Sequence, residues 1–387
     1  MESKLTIDQD GPPNHLELSS EQSNGQLILK DNHVVSSLFS AIYAINQIQR
    51  ESIDCLFKLN EEGRSLKAYN SSLDFHIRGI YSIELIHQSN YYSEHSHVIR
   101  QAFRKVVAPH IHPDDEPSFW NAPPNRMFTL VDEDTGEFIC SHTTAELKNA
   151  LIRESCILIN EDAFKAAQSA RSERAKNQYE RSAKLVECLR AKFSKLLVLR
   201  IDLCWKAVIQ DDSTVNEMKA FLSQLLKRFH HDPTLPNIVG YIWKLEFGQQ
   251  KGYHYHCMFF MDGNKFQNDT HYAEVIGQRW AELTSNKGYY FNCHRDKIKY
   301  RNLAIGTAHH NDQTFYDNLD QVLVYICKQD QFLIDKRLLK PNLRVFGTSQ
   351  LPSKASPVGR PRDFKNLPKP STSLAVVVKK KQLRSTP

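Results

Sequence analysis

The sequence predicts an α+β fold: a largely antiparallel sheet flanked by helices in the C-terminal half, preceded by a mainly helical N-terminal region. Three observations carry this. Residues 195–205 and 238–260 alternate apolar and polar side chains with the period of a strand, and the second stretch is split by Gly248-Gln249-Gln250-Lys251-Gly252, a hairpin signal. Helical periodicity returns on either side of these strands, near 214–230, 270–284 and 314–330. Residues 161–195 are rich in Ala, Lys, Arg and Glu and hold neither Pro nor Gly, which reads as one long helix, a connector or scaffold arm. Hairpin-linked strands with interspersed helices point to antiparallel pairing, with helices covering one face of the sheet.

Taken in chain order, residues 1–35 are polar and net acidic, and disorder is expected there. Val35, Leu38, Ile42, Ile45, Ile48 and Ile53 recur at roughly helical spacing and predict a helix over 36–58. A second helix is predicted over 86–107, and the Pro-rich, His-rich stretch 109–117 reads as a loop. Strands at 126–131 and 137–140 flank the turn signal Asp132-Glu133-Asp134-Thr135-Gly136. Past 195, the apolar face of the first long strand is Leu197, Leu199, Ile201, Leu203 and Trp205, with Arg200 and Asp202 on the other face. Thr214 and Glu217 have the spacing of a capping box for the next helix. The domains expected are 1–35 disordered, 36–190 a mainly helical accessory domain with a small hairpin, 191–352 the sheet domain, and 353–387 a basic disordered tail.

Composition narrows the functional class. The 387 residues are 41% hydrophobic and 24% charged, which excludes a wholly disordered chain. The mean hydropathy of −0.50 and the short apolar runs argue against a membrane span. The N-terminus does not read as a signal peptide. Eight cysteines without a CxxC pair read as reduced thiols in a cytoplasmic protein, with no Cys-type zinc site. The net charge of +6 is uneven: residues 336–387 hold 13 Lys and Arg against Asp363 alone, leaving about −6 for the rest. A basic, Pro-rich tail suits a polyanion, most simply nucleic acid, or serves as a solubiliser. Its Gly359-Arg360-Pro361 core is of a kind that enters an A·T-rich minor groove.

The chemistry-bearing stretch is 243–260. Its odd positions are apolar or aromatic, from Val239 and Trp243 through Tyr253, Tyr255, Cys257 and Phe259. Its even positions include Glu246, His254 and His256. His254 and His256 stand two apart on a strand, so both imidazoles project to one side, and a hairpin centred on Gln250 sets Glu246 opposite His254. Two imidazoles and a carboxylate suit a divalent metal, Mn²⁺ or less comfortably Mg²⁺; zinc stays open on ligand identity. The alternative is a pair of surface histidines on a polar strand face. On the helix near 314–330, Tyr325 lies off the apolar stripe of Phe315, Leu319, Val322, Leu323 and Ile326, with Lys328 three residues on.

An alternating strand, then His254-Tyr255-His256, then Tyr325-Ile326-Cys327-Lys328 on a helix resembles the ordered motifs of the HUH endonucleases, the rolling-circle replication initiators and relaxases. More closely, residues 196–203, 252–260, 324–328 and 344–352 look like the YagK/YfjJ-type family of filamentous phages and bacterial prophages, named as inovirus replication proteins. The resemblance covers about 190–352. It implies an HUH-type sheet and a single-tyrosine DNA nickase and strand transferase in a bacterial host's cytoplasm. Tyr325 would attack a phosphodiester of single-stranded or extruded origin DNA, leaving a 5′-phosphotyrosyl link and a free 3′-hydroxyl for a polymerase. His254, His256 and Glu246 would hold Mn²⁺ or Mg²⁺ on the scissile phosphate, and Lys328 would place the phosphate or stabilise the phenolate. Tyr316 is nine residues before Tyr325, which argues against a two-tyrosine mechanism. His309 and His310 are read as loop polarity, and Asp202 beside Arg200 as structural.

Two other readings stand beside this one. A non-catalytic DNA-binding prophage regulatory protein would keep the fold and the basic tail without needing metal or Tyr325. A zinc-stabilised interaction module would need zinc without nuclease chemistry. Three roles fit residues 1–190: specific DNA binding, recruitment of a host helicase, and oligomerisation.

Overall fold

The computed structural model describes residues 20–23, 26–29, 33–59, 65–68, 70–88, 91–206, 212–248, 252–300, 302–328, 334–335 and 343–353. The tail beyond 353 and the whole of 1–19 and 336–342 therefore lie outside the described residues, as does the tip of the predicted hairpin, 249–251. The chain forms two compact units that divide between Ser172 and Glu173, with residues 329–336 assigned to the first.

The first unit is mainly helical. Strands β1 (Ser20–Ser23) and β2 (Gln26–Leu29) pair antiparallel, which corrects the expected disorder over that stretch: the Leu27-Ile28-Leu29 run has strand propensity. Helix α1 (His33–Glu51) ends earlier than predicted, at a left-handed Ser52 with φ 51°, and the chain continues into β3 (Phe57–Leu59), paired with β4 (Ser65–Ala68). After α2 (Ser71–Arg78) come α3 (Ile83–Gln88), β5 (Tyr91–Tyr92) and α4 (Glu94–Val106), so the single helix predicted over 86–107 is two. The predicted loop at 109–117 holds 3₁₀ turns at Ala108–His110 and Pro113–Asp115 and the start of α5 (Glu116–Asn121). The predicted hairpin is present as β6 (Met127–Val131) and β7 (Phe138–Thr143). A capping box on Thr143 and Glu146 starts α6 (Thr144–Asn160). The core gathers one face each of α1, α4 and α6, including Leu38, Ile45, Ile99, Phe103, Leu151 and Ile152.

Helix α7 (Asp162–Lys192) is the long helix read from composition. It is more than a connector. Tyr179, Leu185, Val186 and Leu189 are buried in the second unit's core, so the unit boundary falls inside the helix and not at 190.

The second unit is a six-stranded sheet, antiparallel at every pairing: β8 (Lys195–Trp205), β9 (Gly240–Gly248), β10 (Gly252–Asp262), β11 (Gly288–Asn292), β12 (Gly306–His309) and β14 (Phe346–Thr348). The order is β11, β8, β10, β9, β14, and β12 shares the outer edge of β8 with β11. The short β13 (Ile334–Asp335) pairs with β5 in the first unit. The odd-numbered face of β8 and β10 packs under α8 (Asp212–Arg228) and α9 (Asp269–Leu283), as the alternation predicts. The even-numbered face is covered too. Leu196, Val198, Ile242, Met258 and Phe260 pack against α7 and α10 (Gln313–Lys328). This corrects the expectation of helices on one face only; the run Leu196-Leu197-Val198-Leu199 is apolar on both sides of the pleat, the mark of a strand buried on both faces. The predicted capping box also fails, because α8 begins before Thr214 and Glu217 pairs instead with Lys287 at 2.8 Å.

Candidate metal and tyrosine site on the sheet

The predicted register holds. His254 on β10 stands opposite Glu246 on β9, and His256 stands opposite Asp202 on β8. Period two then sets all four side chains on the even-numbered face. The donor atoms of Glu246, His254 and His256 lie within 4.8 Å of one another. The two imidazoles meet edge to face, centroids 4.7 Å apart. His254 Nε2 is 4.0 Å and His256 Nε2 3.1 Å from Glu246 Oε2.

The site is not open, contrary to expectation. The side chains of His254, His256 and Glu246 are only 7%, 11% and 16% exposed. Burial makes their electrostatics strong. Burial by itself would lower the basicity of His256, but Asp202 and Glu246 outweigh it and hold the imidazole charged, with a pKa pushed up to about 10. The imidazolium donates from Nδ1 to Asp202 Oδ1 at 2.6 Å and from Nε2 to Glu246 Oε2. Burial works to raise Glu246, yet His256, His254 and Lys244 keep its carboxyl below the usual range.

The donor set fits a divalent ion. The 3.1 Å between His256 Nε2 and Glu246 Oε2 is near the ~3.0 Å expected for neighbouring donors at ~2.1 Å from an octahedral centre. An ion on His256 Nε2 would take the place of a proton, and Asp202 on Nδ1 would then fix the ring, the usual carboxylate–histidine support of a metal ligand. Asp202, which the sequence reading assigned to structure alone, thus stands where it would position the His256 ring. Only the strand order reveals it, since β8 pairs β10 from 54 residues away.

Tyr325 packs partly buried against the core on this same face, from α10. Arg200, two residues before Asp202 on β8, is held firmly charged: burial opposes the charge, and Asp202, Cys293, Tyr300 and Tyr325 together overcome it. The guanidinium lies 5.6 Å from the Tyr300 ring centroid, and its Nε makes no hydrogen bond among the described residues. The sequence reading placed Arg200 on this face and gave it no part in the site. The Lys328 side chain lies outside the described residues. Tyr316 does not share the position of Tyr325. It is 7% exposed, lies under Arg190 at 4.0 Å, and burial pushes its phenol up to about 12. His309 closes β12, and the His310 carbonyl accepts from Arg190, so this pair serves the joint into α10.

Elsewhere the helices are clamped over the site by specific polar bonds. Tyr179 on α7 donates to Asp320 on α10 at 2.6 Å, and Lys244, fully buried on β9, donates to Gln178 on α7 at 3.0 Å. No helix among the described residues is long and apolar enough to cross a membrane.

Residues 160–349 match the family model described as the YagK/YfjJ C-terminal domain. The match begins at the foot of α7 and takes in the whole sheet, the two histidines and Tyr325. No curated protein and no solved structure matches the chain.

Proposed function

We propose that this chain is a DNA replication initiator of the prophage or filamentous-phage type, which nicks single-stranded or extruded origin DNA by tyrosine attack. The observation that carries the reading is the convergence, on one face of one sheet, of Glu246, His254 and His256 with the helix that bears Tyr325. The YagK/YfjJ match over the same residues supports it.

The divalent ion, when bound, supplies Lewis-acid polarisation of a phosphoryl oxygen. Glu246, His254 and His256 hold it, and Asp202 fixes the His256 ring. Tyr325 Oη attacks the scissile phosphorus and its proton passes to solvent. The bond from phosphorus to the 3′ oxygen breaks, the 3′ oxygen takes up a proton, and the 5′ phosphate remains on Tyr325. Arg200 offers a fixed, buried positive charge within electrostatic reach of Tyr325, where negative charge passes from phenol to phosphate. The basic stretch after residue 353 supplies phosphate contacts without sequence reading.

A covalent-adduct assay tests this. Full-length protein is incubated with Mn²⁺ or Mg²⁺ and labelled single-stranded DNA spanning its own replicon's origin, then run on a denaturing gel beside Tyr325→Phe. The expected result is a label shift that needs both metal and Tyr325. An adduct that survives Tyr325→Phe overturns the nucleophile assignment. Folded protein that binds origin DNA and forms no adduct with either metal supports the non-catalytic DNA-binding regulator instead.

A further inference from the structure

The first unit holds a second convergence of metal-ligating side chains. His110 closes the 3₁₀ turn Ala108–His110, while Cys140 and His142 alternate on β7 and so project to the same side. Their register partners on β6 are Leu130 and Phe128, and Phe128 is buried in the first unit's core, which fixes the wall behind the ligands. The donor atoms of all three lie within 4.8 Å of one another. Cys140 Sγ is 3.7 Å from His110 Nδ1, and the two imidazoles meet at 4.8 Å between centroids, inclined by 73°.

We infer that His110, Cys140 and His142 form a Zn²⁺ site that clips the β6–β7 hairpin to the turn at 108–110. Bonds of ~2.3 Å to sulfur and ~2.0–2.1 Å to nitrogen at a tetrahedral angle separate the two donors by ~3.6 Å, close to the distance found. Among the described residues, no carboxylate, amide or hydroxyl hydrogen-bonds any of the three side chains, so nothing else claims their donors. His112, the other histidine of this stretch, is engaged elsewhere, with Glu133 at 2.9 Å. A thiolate with two imidazoles favours zinc over the hard ions suited to the sheet site. The cysteine thiol gives its proton to solvent on binding, and the three half-buried ligands leave a fourth position for water. His110 stands 30 residues before Cys140 and the set includes one cysteine, so no CxxC spacing announces it.

Cobalt substitution tests the assignment, because sulfur is present here and absent from the Glu246, His254 and His256 set. Full-length protein is titrated with Co²⁺ and the thiolate-to-cobalt charge-transfer absorption in the near ultraviolet is followed. The expected result is a band that saturates at one equivalent, is displaced by Zn²⁺, persists in His256→Ala, and is lost in both Cys140→Ser and His142→Gln. Each of the two ligand variants is expected to weaken Zn²⁺ by more than the ~10–100-fold that loss of an outer-shell partner costs. No band, or a band of full strength in either ligand variant, overturns the site and leaves the 3.7 Å contact an S–H···N hydrogen bond.

Discussion

Replacing Asp202 by Asn isolates the positioning role of one carboxylate. The change keeps the side-chain volume and removes one negative charge from a place that is 6% exposed, where water screens little. Two cations lose by it. His256 loses the 2.6 Å partner that fixes its ring, and Arg200 loses a carboxylate whose field sustains its charge. For metal binding, loss of such a partner costs about 10–100-fold in affinity, or ~1.4–2.8 kcal/mol. Asp202 also attracts the proton that competes for His256, but the ion carries two charges against one, so the net effect is weaker binding. For folding, breaking a buried pair costs ~3–5 kcal/mol when the partner cannot neutralise. Its partner in that pair, His256, can shed its proton, so the penalty falls below that range, and the loss of Asp202's field at Arg200 adds to it. Mn²⁺ titration by calorimetry gives the first quantity and urea unfolding of metal-free protein the second. An Mn²⁺ affinity within about threefold of the wild type, measured on folded protein, would refute the orienting role.

Deleting residues 354–387 removes nine Lys and Arg, and the slope of log affinity for single-stranded DNA against log salt should flatten by up to about 6, at ~0.7 per phosphate contact; an unchanged slope makes the segment a solubiliser. Burial tends to raise the Glu274 carboxyl, but bonds from Tyr290, Asn292 and Arg295 hold it below the usual range. The stability it lends is complete above about pH 4.3 and is lost as pH falls through the lower native value, so Glu274→Gln should flatten the acid limb of stability against pH; an identical limb refutes this. A fragment of residues 191–353 should show no cooperative thermal transition, while 160–353 should show one, because the shorter piece lacks Tyr179, Leu185, Val186 and Leu189. Burial of those four is worth ~6–12 kcal/mol at ~1.5–3 each, as much as a domain's whole net stability.

Much of the second unit was legible because its strands are long and their patterning strict. Glu246 opposite His254 followed from a hairpin whose two arms adjoin in sequence, so one turn signal set the register. The α10 stripe and the β8 alternation are likewise local patterns. Asp202 was illegible for the opposite reason. Its partnership with His256 depends on which strand lies on the far side of β10, a choice that no periodicity encodes. The first unit shows the same limit: apart from the β6–β7 hairpin, which its turn signal announced, its strands are two to four residues long, too short for alternation to register, and its helices break where single residues such as Ser52 leave helical geometry.

Burial was the other hidden quantity, and it changes the chemistry. On an exposed strand, His254-Tyr255-His256 would be two ordinary imidazoles and the sequence argument for metal would rest on spacing. Helix α7 alters that. Its Ala- and charge-rich composition reads as solvated, yet from Glu173 onward it covers the sheet, and Gln178 takes the buried ammonium of Lys244 next to the site. Exclusion of water there is what lets two carboxylates keep His256 charged against the pull of burial. The same exclusion would strengthen their hold on a divalent ion and make Arg200's fixed charge count at Tyr325. The helix that composition presents as an arm is therefore part of the electrostatic design of the site, and the family match, which starts at residue 160, includes it from its first turn.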